Sequence, residues 1–168
     1  LWREVDCAVI EINATPGFSS YARAVQIMQA RFPAGCDGRI RTVVLIGAGH
    51  GGLEQAAQAL QADGACVGMT DSRRTLLGGQ QRFAASATLA ERVHGLLLDV
   101  RCEVLLIGIT PAEIETGGFP LDRCSLALVS AGTRLSAALL KLVEACSTRV
   151  INDVQADDLK RKILDMSA

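Results

Sequence analysis

The sequence predicts an α/β fold, a parallel sheet flanked by helices on both faces in a three-layer domain of the P-loop or Rossmann type. Three observations predict it. From residue 42 onward, strand-like and helix-like stretches alternate, the pattern of βαβ units. The strand-like runs are short and continuously apolar, as in TVVLI at 42–46, which suits strands covered on both faces. A glycine-rich loop, GAGHGG at 47–52, leads from the first of these strands into a helix.

The elements follow in order. VDCAVIEI at 5–12 is an expected strand, and NATPG at 13–17 a turn. Tyr21, Ala24, Val25, Met28 and Phe32 recur at helical spacing within residues 20–32. FPAGCDG at 32–38 stops that helix and marks a domain junction, dividing the chain into residues 1–36 and 37–168. Beyond the glycine loop, residues 53–63 are strong helix formers ended by Gly64, and residues 65–70 form the second strand of the series. Residues 75–82 read as a hairpin turning at Gly78 and Gly79. A helix over 86–98 takes Ser86 as its candidate N-cap. Residues 103–109 give a third strand, 111–116 a short helix closed by Gly117 and Gly118, and 125–130 a fourth strand. An amphipathic helix over 133–146, a fifth strand over 149–152 and a charged helix over 155–166 complete the chain.

Composition narrows the function. With 168 residues, 49% hydrophobic and 21% charged, the chain can bury a core and is not disordered. A net charge of −1 and 4% aromatic residues exclude nucleic acid as the main partner. They also exclude an anionic membrane surface. No apolar stretch is long enough to span a bilayer and no signal-peptide layout is visible, so a cytoplasmic protein is expected. The chain begins at Leu1 inside a strand-like run and is expected to be a piece of something longer. Its six cysteines, Cys7, Cys36, Cys66, Cys102, Cys124 and Cys146, are widely spaced with no CxxC pair, which argues against a zinc or redox motif. Most lie in apolar runs, where a thiol acts as a small buried hydrophobe, and a reducing compartment follows.

Gly47, Gly49 and Gly52 fit GxGxxG, with His50 and Gly51 between them. Such glycines let backbone N–H groups approach a phosphate at a helix N-terminus. Asp71 ends the next strand, where an acid that binds ribose is expected in a dinucleotide fold. An NAD-type site is one reading; a tight turn that any parallel sheet needs here is the other. His50 is either a phosphate contact or a solvated loop residue, and His94 reads as structural. No Ser/His/Asp or Cys/His constellation assembles from spacing.

Three stretches, in the same order, resemble the cyanophycin synthetases, bacterial ligases that join an ATP-grasp domain to a Mur-ligase-like part. AVIEINATPGF at 8–18 is similar to the closing strand of the ATP-grasp domain. There the positions of Glu11 and Asn13 hold the magnesium that bridges the phosphates of ATP, as oxygen ligands on one strand face can. FPAG at 32–35 and RIRTVVLIG at 39–47 resemble the junction into the Mur-like part. EVLLI at 103–107 and GFPLDRCSLALV at 118–129 track the family's next strands, and LDRC at 121–124 is the most specific match. The resemblance spans residues 4 to about 131.

The departures fall on the family's active-site motifs. GAGHGGL at 47–53 stands where the family has GTNGKTT, so Gly51 replaces the phosphate-binding Lys and Gly52 a metal-binding Thr. GITPAE at 108–113 stands where the family has ETARGG, with Gly108 for the acid and Pro111 for the Arg. SAGT at 130–133 replaces a TN…DH segment and lacks its His. The resemblance implies an ATP-dependent amide ligase, with ATP and magnesium as its cofactors. In this chain it implies an ATP-grasp remnant followed by a Mur-like domain that has lost ATP hydrolysis. The expected partner is the rest of the ligase chain. A homo-oligomer, a non-catalytic scaffold and an NAD-binding module all stay open.

Overall fold

The computed structural model describes residues 40–47, 50–82 and 87–165, within a unit that begins at Ile40. The strand, turn, helix and junction predicted before Ile40 lie outside the described residues, with Glu11 and Asn13.

Twelve elements follow one another along the described chain. They are β1 (Arg41–Ile46), α1 (His50–Ala62), β2 (Val67–Thr70), β3 (Thr75–Leu77), β4 (Gln80–Gln81), α2 (Leu89–Leu98), β5 (Val104–Ile109), α3 (Pro111–Gly117), β6 (Leu126–Ser130), α4 (Ala137–Ala145), β7 (Val150–Val154) and α5 (Ala156–Leu164). The strands form one sheet in the order β4-β3-β2-β5-β1-β6-β7. β2, β5, β1, β6 and β7 are parallel, and β3 and β4 add an antiparallel hairpin at one edge.

Helices cover both faces, giving three layers. One face packs Val43, Leu45, Leu106 and Leu128 against Leu53, Ala56 and Leu60 of α1 and Leu159 and Ile163 of α5. The other packs Val44, Ile107, Ile109 and Val129 against α2, α3 and α4 through Val93, Ile114, Leu139 and Val143. Alternate residues of each central strand therefore enter different cores, and every residue of β5 is buried. That double coverage is why these strands read as unbroken apolar runs rather than alternating ones. No helix among the described residues is long and apolar enough to cross a membrane.

Several boundaries move from their sequence expectation, each for a local reason. α1 begins at His50 rather than residue 53, so Gly51 and Gly52 lie inside its first turn. α2 is capped by Thr88 and not by Ser86. Thr88 Oγ1 accepts the Glu91 N–H, and the Glu91 carboxylate accepts the Thr88 N–H at 2.7 Å, a reciprocal box that satisfies two end donors at once. Ser86 itself lies outside the described residues. α4 starts at Ala137, where the Ser136 side chain accepts the Leu139 N–H. Residues 133–136 stay out of the helix, and Thr133 turns back to donate its N–H to the Ser130 carbonyl at 3.0 Å. His94, expected to be structural, is solvent-exposed on α2.

Candidate functional site: the carboxyl edge of the central strands

In parallel α/β sheets, ligands bind outside the carboxyl ends of the strands. Here β5, β1 and β6 end side by side. Ile46 pairs with Ile109 on one flank and Val129 on the other. The chain leaves β1 through Gly47, whose N–H donates to the Ile109 carbonyl at 2.9 Å. Gly47 has φ +109°, a backbone state that favours glycine. A Cβ there would also strike the side chain of Thr133. Thr133 is thus held directly against the turn out of β1.

The described residues within 47–53, 108–113 and 130–133, spread over more than eighty residues of sequence, come together along this edge. Gly47 ends β1, Gly108 pairs with Leu45 near the end of β5, and Ser130 ends β6 with Thr133 just beyond. Gly51 lies in the first turn of α1, exposed, with open space where a Cβ would stand. Gly52 is different: a Cβ there would run into Leu159 of α5. Its missing side chain lets two helices approach closely. Gly49 and the side chain of His50 lie outside what is described; the backbone of His50 opens α1.

The first carboxylate along the chain after β5, Glu113, is engaged in capping α3. It accepts the Thr110 N–H and hydroxyl, each at 2.8 Å. Among the described residues no group of three or more His, Cys, Asp or Glu side chains could hold a metal ion.

Asp71 follows β2, which is not the direct neighbour of β1. β5 separates β2 from β1, so the end of β2 lies about 10 Å from that of β1 at the usual strand spacing. In a dinucleotide fold the second strand is the direct neighbour of the first. Asp71 is buried, and its Oδ1 accepts the N–H groups of Arg73 and Arg74 at 2.8 and 3.0 Å. Its carbonyl accepts from the buried Arg92 at 2.7 Å. These bonds build the turn between β2 and β3. Arg74 then reaches Glu54 of α1 at 2.7 Å, and that hydrogen bond raises the Arg74 pKa.

Cys66, Cys102, Cys124 and Cys146 are free thiols. Burial pushes Cys102 up to about 11 and also raises Cys124, so both remain protonated as core hydrophobes rather than nucleophiles.

Sequence reasoning missed the neighbouring end of β7. That strand runs on through Asn152 and Asp153 to Val154, and these two residues line a cleft with Ser130 and Thr133. The available signal was two consecutive polar residues closing an apolar strand.

No protein-family model matches the chain, and no curated protein matches it.

Proposed function

We propose that the domain beginning at Ile40 is a Mur-ligase-like domain that has lost ATP hydrolysis and serves a structural role in a cyanophycin synthetase-like ATP-dependent amide ligase. The observation that carries this reading is convergence. The three stretches that depart from the family's active-site motifs lie at one sheet edge. Departures scattered over the surface would have no common meaning.

The residues present at that edge do not fit a magnesium–ATP complex. A P-loop needs a Lys on the β- and γ-phosphates, and a hydroxyl and an acid on the metal. Gly51, Gly52 and Gly108 occupy those positions, and Glu113 is tied to Thr110. ATP and magnesium belong to the ATP-grasp half of the parent ligase, where ATP phosphorylates a carboxylate and an amine attacks the acyl phosphate. Glu11 and Asn13 are this chain's contribution to that metal site. The rest of the ligase chain is its partner. The NAD-type alternative is the weaker one, because β5 stands between the loop strand and Asp71.

Calorimetry of the chain with magnesium–ATP, ADP and NAD tests the proposal. The expected result is no magnesium-dependent ATP binding and no NAD binding. Gly51→Lys, at a position where a Cβ meets open space, is expected not to restore ATP hydrolysis, because the metal-binding positions are also lost. Tight magnesium-dependent ATP binding by the unaltered chain would overturn it. NAD binding weakened by Asp71→Ala would favour the dinucleotide reading instead.

A further inference from the structure

A cleft of about 230 Å³ opens at the carboxyl ends of β6 and β7, beside Thr133 and the first turn of α4. It is smaller than the pockets of about 300–1,000 Å³ that take drug-sized ligands, and suits a short chain better than a nucleotide. The local backbone makes it. The register pairs Leu128 with Ile151 and then Ser130 with Val154. Two residues of β7, Asn152 and Asp153, therefore face the single residue Val129. In a regular strand, consecutive side chains point to opposite faces. Here both line the same cleft, because a bulge takes up the extra residue and Asp153 adopts a left-handed conformation at φ 56°. Non-glycine residues held in that region collect at binding sites.

The chemistry of the lining is one-sided. Asp153 brings a carboxylate, and Asn152 and Thr133 bring further oxygen acceptors. Among the described residues, no Lys, Arg or His lines the cleft. Asn152 and Asp153 are both exposed, and among the described residues neither side chain has a protein hydrogen-bond partner that would compete with a ligand. Val129, Leu135 and Leu140 supply an apolar wall. A negative, acceptor-rich rim repels phosphates and carboxylates and favours a donor-rich cation with an alkyl stem.

We propose that this cleft binds a small primary alkylammonium, its stem against Val129, Leu135 and Leu140 and its ammonium at the Asp153 carboxylate and Asn152 side-chain carbonyl. The cleft shares Ser130, Gly132 and Thr133 with the last of the three stretches, but the proposal requires neither binding nor loss of a nucleotide.

The test is a heteronuclear NMR titration of the full chain with cadaverine, against the neutral pentanediol, the anionic glutarate and adenosine. Cadaverine is expected to move the amide signals of Thr133, Leu140 and Asn152 to saturation. Pentanediol is expected to bind about tenfold more weakly, the loss of one charge-assisted contact, and glutarate not at all. Asp153→Asn and Asp153→Gly should each weaken cadaverine by a similar factor. The glycine variant accepts the left-handed backbone freely and so keeps the fold. Absence of saturable shifts, equal binding of the diol, preference for glutarate or adenosine, or unchanged affinity in Asp153→Gly would each overturn the proposal.

Discussion

At Gly47 the backbone sits at φ +109° with the Thr133 side chain where a Cβ would go. Gly47→Ala is expected to cost about 1–3 kcal/mol, combining left-handed strain with a contact that must shift. Gly51→Ala is the control. It lies in a helical turn with open space and should stabilise by about 0.5–1 kcal/mol. Urea midpoints at constant m-value measure both, and equal effects would sink the distinction. The glycines of the loop were legible in the sequence as a group, but not their separate roles. Gly47 turns the chain, Gly52 admits Leu159, and a Cβ at Gly51 would meet open space. Only the packing around each separates them. The cysteine reading, by contrast, needed only composition: Cys102 sits 5% exposed among apolar side chains, as its apolar neighbourhood implied.

Helix ends are where sequence and structure differ most among the elements. Two capping boxes, Thr88 with Glu91 and Thr110 with Glu113, place the starts of α2 and α3. Both are written as Thr-x-x-Glu, so the start at Thr88 was readable, though Ser86 offered a competing cap two residues earlier. The start of α4 was not, because residues 133–136 have helix-compatible composition, yet Ser136 caps the helix and Thr133 turns back to the Ser130 carbonyl. The end of α2 supports a pH prediction. Asp99 caps it and takes a paired contact from Arg101, at 2.9 Å from Nε and 2.7 Å from Nη2. The Arg101 hydrogen bond holds the Asp99 carboxyl down to about 2, against about 3.9 in an unfolded chain. The folded form therefore favours the carboxylate. Its contribution is complete above about pH 4 and disappears as the pH falls through about 2. For a surface pair that contribution is about 0.2–1 kcal/mol. Arg101→Ala should lose it near neutral pH and lose nothing below about pH 2. Urea unfolding at both pH values checks the difference, and an NMR titration should show Asp99 rising towards its ordinary value.

At the scale of the molecule, one sheet divides two cores, and β5 serves both. Leu106 faces α1 and α5, while Ile107 faces α2, α3 and α4. Both are fully buried. Leu106→Ala and Ile107→Ala should each cost about 2–5 kcal/mol. Their side chains are on opposite faces, so the double variant should lose close to the sum. A strongly sub-additive result in urea unfolding would mean that the cores are not separate. The layers and the parallel direction were legible from the alternation of apolar runs and helical stretches. The strand order was not, because no local pattern says that β5 inserts between β1 and β2, and that insertion is what sets the strand before Asp71 two places from β1. The bulge in β7 was equally hidden, since it arises from pairing with β6. That bulge also bears on how copies of the chain meet. A sheet edge is a template onto which another chain can add a strand, unless it is short, kinked or charged. Among the described strands, β4 is two residues long with both side chains exposed, and β7 is interrupted and carries an exposed aspartate. Among the described strands, then, both margins of the sheet resist strand-by-strand growth into aggregates.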